Sequence, residues 1–293
     1  MNAPEPNAAP PAAPDDANDL RGFHFRQLIG KPLTLVLVGA LTILVGAGFA
    51  ALTTPLLGLL GAAVALLAGI GIVFAIADSR AADDFFDTYA QSRGLVLNGR
   101  GSLPPATPLL RKGDKRYAER TLNGPIADGV EGTLALYTYE VESTDGKGNR
   151  QTSYYRYTLG LVEVPECVAH IPELYCQRKF GLRSLEKLED VFRRSKERLK
   201  LESSALDDRY EIFAGKSQDA VWLRRLFAPT FIVWLTETAP EKFAFELVNG
   251  TLCCYVNGHK EGSLELDTVA AASAAVARRL RDEAAETSPA PPA

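Results

Sequence analysis

The tripeptide Gly215-Lys216-Ser217, within "IFAGKSQD", is the part of this sequence that most resembles a phosphate-binding loop. A complete loop needs a further glycine five residues before Gly215, so that backbone amides can surround the phosphates. Tyr210 occupies that position. We therefore interpret the tripeptide as a turn between a strand and a helix, with the Ser217 hydroxyl as the helix cap.

The histidines and cysteines are the next residues that could carry chemistry. His24, His170 and His259 are far apart in the sequence, and we expect each of them at the surface or in a loop. Cys253 and Cys254 are adjacent, and neighbours in a strand point to opposite faces. His259 with one of these cysteines would supply too few of the three or four convergent ligands that a soft metal requires. No metal site and no cofactor site is predicted.

The four cysteines, Cys167, Cys176, Cys253 and Cys254, are too few and too irregularly spaced for a disulfide framework. We expect buried thiols in a reducing compartment. The sequence also lacks the G-x-S-x-G, H-E-x-x-H and C-x-x-C motifs. The acidic pairs at 83–84 and 207–208 are adjacent rather than facing, which predicts solvated surface. No catalytic residue is predicted.

Charge is distributed unevenly along the chain. The net charge of −4 gives no basic surface with which to neutralise phosphates, so nucleic acid is not an expected partner. Residues 32–77 contain no Asp, Glu, Lys or Arg. A helix needs about 20 apolar residues to cross a bilayer, and the segments 32–52 and 56–77 both meet that length.

The charge-free region therefore predicts a hairpin of two transmembrane helices, joined by a turn at residues 53–55. Pro55 suits the first turn of the second helix because the amide there has no partner to lose. Two alternatives are disfavoured. A cleaved signal peptide has a shorter apolar region of about 7–15 residues, and a buried pair of core helices of this length without charge is rare in soluble proteins.

Basic residues in the short flanks predict the orientation of the hairpin. Arg21, Arg26 and Lys31 precede the first span, Arg80 and Arg93 follow the second, and the turn has none. Basic flanks stay on the cytoplasmic side of a membrane. We therefore expect a two-span protein of the cell membrane with both termini in the cytoplasm. The lipid bilayer is the first partner that the sequence predicts.

Gly61, Ala65 and Gly69 place small residues at every fourth position of the second span. Such a face lets two helix backbones approach closely, either within the hairpin or between two copies of the chain. The alternative is that glycine and alanine are simply common in membrane helices. Neither span contains an ionisable residue, which argues against an ion or proton path.

The rest of the chain divides into two tails and one domain. The Pro-, Ala- and acid-rich N-terminal stretch is too poor in apolar residues to fold, and residues 1–30 and 287–293 are predicted to be disordered tails. Residues 78–286 are predicted to form a cytoplasmic α+β domain with antiparallel hairpins and amphipathic helices. Its first segment, "DSRAADDFFDTYAQSR", should continue the second span as a helix as far as Gly94.

Strand and helix patterns alternate through this domain. A hairpin is predicted from "TLALYTYEVE" and "RQTSYYRYTLGLVEV", and a second from "KFAFELV" and "TLCCYVN" around an Asn-Gly turn. "IPELYC" and "RYEIFAG" read as strands, and "QDAVWLRRLF", "PTFIVWLTET" and "LELDTVAAASAAVARRLRDEAAE" read as helices. The basic segment from Ser184 to Leu201 is also predicted to be helical, either contacting anionic lipid or stabilised by its own paired charges.

The run "GTLALYTYEVE…RQTSYYRYTLGLVEVP…IPEL" resembles a pattern in uncharacterised bacterial proteins with two membrane spans. The segments "LESSALDDRYEIF", "LFAPTFIVWL" and "FELVNGTLCCYV" resemble the parts that follow in those proteins, so the likeness covers most of residues 80–280. The resemblance implies a paired-span anchor carrying a cytoplasmic β-rich domain. It implies no activity and no site residues.

Three functions are compatible with these patterns. The first is a non-catalytic, membrane-anchored binding or scaffolding module at the inner face of the membrane. The second is an accessory subunit of a transporter or envelope complex, attached through the face of Gly61, Ala65 and Gly69. The third is an enzyme whose site is assembled from residues distant in the sequence. A pocket lined by convergent titratable groups would favour the enzyme.

Overall fold

The computed structural model describes residues 16–144, 146, 148–179, 196–216 and 218–287. The expected tails at 1–15 and 288–293, the expected helix over 184–195 and the proposed cap Ser217 lie outside these residues. The chain forms two compact units. Unit one contains the described residues up to Ser92 together with Glu261–Ser263, and unit two contains Arg93–Lys260 and the chain from Leu264 onward.

Unit one consists of three helices. Helix α1 is Ala17–Ile29, α2 is Pro32–Leu52 and α3 is Pro55–Arg93. α2 and α3 are both long and apolar enough to cross a membrane. α3 starts at Pro55 and ends immediately before Gly94, as the sequence predicts, and none of the residues of α2 is buried.

The expected boundary of the N-terminal tail at residue 30 is wrong, because Ala17–Ile29 forms α1. The physical reason is packing that the composition does not reveal. Leu28 is buried in a cluster with Val73 and Ala77 of α3, and tertiary contacts of this kind stabilise a helix too short to persist alone.

Unit two is built on a nine-stranded sheet in which every neighbouring pair is antiparallel. The strands are β1 Val96–Asn98, β2 Lys115–Ala127, β3 Val130–Thr144, β4 Arg150–Glu163, β5 Glu173–Arg178, β6 Lys196–Leu199, β7 Tyr210–Gly215, β8 Ala244–Val248 and β9 Thr251–Asn257. Their order across the sheet is β1-β2-β3-β4-β9-β8-β5-β7-β6. The predicted α+β class is confirmed.

Both predicted hairpins are present. β3 pairs with β4 over twelve residue pairs from Thr133–Leu161 to Thr144–Arg150. β8 and β9 are joined by Asn249 and Gly250, which have φ angles of 48° and 84°. Two consecutive positive φ angles define the tight turn that matches the twist of paired strands, and Asn-Gly is the sequence that tolerates them best.

Three elements differ from the expectation. β1 and β2 were not predicted. β1 has only three residues, and the β2 segment "KRYAERTLNGPIA" contains four charged residues, a glycine and a proline and gives no clear alternation. The predicted helix from Ser184 to Leu201 is wrong over Lys196–Leu199, which forms β6 against β7. Helical spacing in the sequence was overridden there by pairing with a neighbouring strand.

The helices of unit two are α4 Ser204–Arg209, α5 Ala220–Leu226, α6 Pro229–Val233, which continues as one π-helical turn over Trp234–Thr238, and α7 Ser263–Thr287. The Asp219 side chain caps α5 by accepting bonds from the amides of Val221 and Trp222. α7 approaches the sheet closely at Gly160. A Cβ atom there would lie 2.0 Å from the Ser273 hydroxyl, so only glycine fits.

The two faces of the sheet are covered differently. Gly160 and Cys254 are register partners on the face toward α7. The opposite face carries a buried tyrosine-rich cluster of Tyr137, Tyr139, Tyr157 and Tyr255. Leu109 and Leu110, which follow β1 in the chain, pack on this cluster. The segment of residues 99–112, called the strap below, therefore covers the tyrosine-rich face.

Candidate functional site

A groove of about 890 Å³ lies on unit two, where the strap meets the end of strands β1 to β4. Residues 98–104 form one wall, and side chains from β2, β3 and β4 form the floor. Leu103, Pro104 and Leu161 supply its apolar surface. A cavity of this size falls in the range of ligand-binding clefts.

The floor of the groove is made of amides and hydroxyls. Asn98 is paired in register with Thr121, and Asn123 is paired with Thr133. The Thr133 hydroxyl donates a 2.6 Å bond to the side-chain oxygen of Asn123. This bond fixes the orientation of the Asn123 amide, so that its NH₂ group is directed away from Thr133.

The charges in the groove are balanced. Glu131 and Glu163 are its carboxylates, and Arg100 and Arg281 are its cations. The Arg100 guanidinium lies 3.8 Å from the centre of the Tyr117 ring, which holds it against the wall. Arg281 donates a 2.9 Å bond to the backbone oxygen of Glu163. The groove therefore offers donors and acceptors without a net charge that would select a strongly anionic ligand.

The lining residues that the structure describes include no histidine, cysteine, lysine or tyrosine. Ser102 is a possible nucleophile and Glu131 and Glu163 are possible bases, but among the described residues no hydrogen bond joins Ser102 to either carboxylate. The groove has the composition of a surface that binds through hydrogen bonds and apolar contact.

The strap is attached to the sheet by a buried carboxylate. Glu246, in β8, is 1 % exposed, and its Oε2 accepts a 2.9 Å bond from the Leu109 amide. The Tyr137 hydroxyl donates a longer bond, 3.4 Å, to the Leu109 carbonyl. At the other end of the strap, Gly101 and Ala118 exchange two backbone hydrogen bonds of 2.8 and 2.9 Å. The groove wall is held by these contacts.

Glu246 and Lys112 are both buried, and each affects the titration of the other. Burial raises the pKa of Glu246, while the Leu109 amide and the charge of Lys112 oppose that increase. Burial also lowers the pKa of Lys112 to about 8, and the charge of Glu246 opposes that decrease. Because Glu246 is fully covered, no substrate reaches it. Its role is to position the strap.

The residues that the sequence singled out do not converge. All four cysteines are buried and free, and Cys253 and Cys254 point to opposite faces of the sheet as predicted. The His259 ring does not reach them in a metal-binding arrangement; it hydrogen-bonds instead to the Thr138 hydroxyl and the Tyr137 carbonyl, each at 3.2 Å. Among the described residues no group of three or more His, Cys, Asp or Glu could hold a metal ion.

The histidines are less exposed than the sequence suggested. His24 is 9 % exposed, and its Nε2 lies 2.9 Å from an Asp84 carboxylate oxygen. His170 stacks on Trp222, with the ring centres 6.0 Å apart. These rings make packing and polar contacts, which spacing in the sequence does not indicate.

The predicted packing face of α3 lies against α2. A Cβ atom on Gly61 would lie 3.3 Å from the Phe49 ring, and one on Gly69 would lie 3.0 Å from a Val38 methyl. Ala65 is buried between them. Whether this face serves the hairpin or an association between copies stays a prediction.

The groove and Glu246 were both missed by the sequence analysis. Glu246 does leave a signal, because it is the one charged residue in "AFELV", a strand in which all five residues are buried. A carboxylate within such a strand requires a partner inside the fold. The groove leaves no comparable signal, since its residues come from β1, the strap, β2, β3, β4 and α7.

Comparison with known proteins gives little further information. No family model matches the chain, and no curated protein matches it. Among solved structures, the mycobacterial trehalose monomycolate transport factor TtfA is similar, with 12 % identity and a TM-score of 0.35. The similarity covers 70 % of this chain and 96 % of that protein.

Proposed function

We propose that this protein is a membrane-anchored, non-catalytic binding module, with α2 and α3 as the anchor and unit two as a cytoplasmic domain. The observation that carries this proposal is the large apolar surface of the two helices. Leu44 of α2 is 73 % exposed and Leu67 of α3 is 70 % exposed, and they belong to a long series of exposed leucines and isoleucines. Soluble proteins rarely expose contiguous apolar surface of this extent.

Helix length supports lipid as the solvent of this surface. The 21 residues of α2 span about 31 Å, which equals the hydrocarbon thickness of a bilayer. A core helix of a soluble protein has the same composition but is covered by other elements, and α2 has no buried residue. The backbone groups within both helices are bonded internally, as hydrocarbon requires.

The groove supports binding as the activity of unit two. Asn98, Thr121 and Asn123 present polar groups beside the apolar Leu103 and Leu161, and Glu246 holds the wall in place. This combination suits an uncharged or zwitterionic polar ligand, such as an extended polypeptide segment, better than a phosphorylated one.

Alkaline extraction of native membranes tests the anchor. The full chain is expected to remain in the membrane pellet. Leu44→Arg with Leu67→Arg should move it to the supernatant, because an arginine near the centre of a span costs about 2.5–3.5 kcal/mol. The matched control is Leu264→Arg with Val221→Arg, at residues that are 79 % and 63 % exposed in unit two. Release of the unaltered chain, or equal behaviour of the two pairs, would remove the anchor.

Site-specific photocrosslinking tests the groove. A photoreactive amino acid at Asn123 should trap the bound partner, and Thr133→Trp should abolish that product by filling the floor. The same photoreactive residue at Val221, which is exposed on α5, serves as the control. Equal products from both positions, or a product that survives Thr133→Trp, would show that the groove is not the binding surface.

A further inference from the structure

Helix α1 is the part of unit one that the anchor alone does not explain. Its inner side is apolar, with Phe25 and Ile29 packed around the buried Leu28, and this cluster rests on Val73 and Ala77 of α3. The Phe25 and Phe74 rings meet edge to face, with centres 5.9 Å apart. α1 is therefore docked on the hydrophobic helices.

The contacts of α1 lie near the ends of the charge-free segments of α2 and α3. Val38 of α2, which packs on the same cluster, is six residues from Pro32, or about 9 Å along the helix. Val73 is four residues from Ala77, the last residue before the first acid, or about 6 Å. Helices that lie in the membrane interface bury their apolar face to a depth of about 5–10 Å. The contacts of α1 lie within the same distance of the ends of the charge-free segments.

One side of α1 makes polar contacts within unit one. Arg21 pairs with Asp78 of α3 and, at 3.0 Å, with Glu261. His24 lies 2.9 Å from Asp84. Asp78 is thus paired with Arg21, and Asp84 is within hydrogen-bonding distance of His24.

Three exposed cations lie in and near α1: Arg26 in α1, Lys31 between α1 and α2, and Arg80 in α3. Arg26, Lys31 and Arg80 are exposed, and within the described residues no ion pair is found for any of them. Phe23 is 61 % exposed and lies one helical turn before Arg26. Exposed cations beside an exposed aromatic ring at the end of an apolar helix pair form a composition suited to a lipid boundary.

We infer that α1 lies in the membrane interface and that Arg26, Lys31 and Arg80 bind the phosphate groups of anionic lipids, with Phe23 at the level of the upper acyl chains. This inference rests on the proposed anchor. The inference adds a lipid-binding site to the anchor. It also gives the segment before the first span a role beyond setting the orientation of the hairpin in the membrane.

The test is lipid selectivity of the full chain reconstituted in phosphatidylcholine vesicles. Spin-labelled phosphatidylglycerol and spin-labelled phosphatidylcholine are added separately, and the protein-associated fraction of each is measured by electron paramagnetic resonance. Phosphatidylglycerol is expected to associate more strongly, and the preference should decline with added salt. Each of Arg26→Gln, Lys31→Gln and Arg80→Gln should weaken it by about five-fold at low salt, since one basic residue near the surface contributes roughly 1 kcal/mol.

A matched triple variant controls for net charge. Arg150→Gln, Lys216→Gln and Arg224→Gln remove the same charge from exposed positions of unit two and should leave the preference unchanged. Equal association of the two lipids with the unaltered chain, or a preference that survives the triple variant of Arg26, Lys31 and Arg80, would overturn the inference. Extraction of the unaltered chain by alkali would instead overturn the anchor, so the two failures are distinguishable.

The depth of α1 gives a second measurement. A spin label on Phe23→Cys should be more accessible to oxygen than to a water-soluble nickel chelate, while a label on Asp87→Cys, exposed farther along α3, should show the reverse. The four native cysteines are buried and can be retained. Preferential access of the nickel chelate to position 23 would exclude the interfacial position.

Discussion

α2 and β8 depart in opposite directions from the usual distribution of residues. α2 is apolar throughout and has no buried residue, whereas β8 contains a carboxylate and is buried throughout. Burying apolar surface contributes about 25 cal/mol of stability per Å², and this is forgone where the surface stays in water. An ionised carboxylate is destabilised when it is removed from water. The first departure is explained by a different solvent, and the second by a hydrogen bond and a nearby lysine. Residue type alone therefore does not determine where a side chain lies.

The largest expected effect is an all-or-none difference in thiol labelling between two positions, and it tests whether lipid is the solvent of α2. If lipid surrounds α2 and α3, a cysteine at Thr54 in the turn and a cysteine at Asn149 in the β3–β4 hairpin should lie on opposite sides of the membrane. Thr54→Cys should react with an impermeant thiol reagent on intact cells, and Asn149→Cys only after lysis. Both positions are exposed, and the native cysteines are buried and silent. Reaction of Asn149→Cys on intact cells would place unit two outside.

The next effect compares two leucines of identical chemistry. Leu247→Ala in β8 should lower the free energy of unfolding by about 2–5 kcal/mol, because the side chain is fully buried and leaves a cavity. Leu44→Ala in α2 should change it by no more than about 0.5 kcal/mol. Tryptophan fluorescence of the full chain in detergent is a suitable probe, since Trp222 and Trp234 both lie in unit two. Equal costs at the two positions would break the comparison.

Glu246 and Lys112, both buried in unit two, predict a pH dependence. The raised pKa of Glu246 means that the native state holds its proton to higher pH than the unfolded chain does. Its contribution is fully present below pH 4.5 and is lost as the pH rises through the native pKa. For Lys112 the native pKa of about 8 is below 10.5, so stability should increase between these values, by up to roughly 3 kcal/mol.

Two isosteric or near-isosteric variants separate these contributions. Glu246→Gln keeps an acceptor for the Leu109 amide and should remove the loss of stability that sets in as the pH rises above 4.5. Lys112→Met should remove the increase above pH 8. The measurement is the free energy of unfolding of each variant as a function of pH. If both variants still show both changes in the free energy of unfolding with pH, groups other than Glu246 and Lys112 cause those changes.

The smallest expected effect concerns helix packing in unit one. Gly61→Ile and Gly69→Ile should each weaken the contact of α3 with α2, at about 1–3 kcal/mol, because the added atoms meet Phe49 and Val38. Gly71→Ile is the matched control in the same helix, since a Cβ atom there has open space. Crosslinking yields between cysteines placed in α2 and α3 report the contact. Equal yields for all three variants would show that the small-residue face does not hold the helices together.

The sequence by itself determined the elements whose signals are local. The length of α2 and the apolar part of α3 follow from the absence of charge. The start of α3 at Pro55 follows from the proline ring, and the Asn249-Gly250 turn from the φ angles that asparagine and glycine tolerate. The β3–β4 hairpin and α7 follow in the same way from their apolar periodicity. Each of these depends on residues close to one another in the chain.

Tertiary structure alone decided α1, β2, β6 and the groove. α1 is helical because Leu28 packs against Val73 and Ala77, which are more than forty positions away in the sequence. β6 is a strand because β7 offers a free edge to a segment with helical spacing. Glu246 acquires its role only when the fold brings the Leu109 amide within 2.9 Å. These features depend on contacts between distant segments, and the free energy of such contacts is absent from any local pattern of residues.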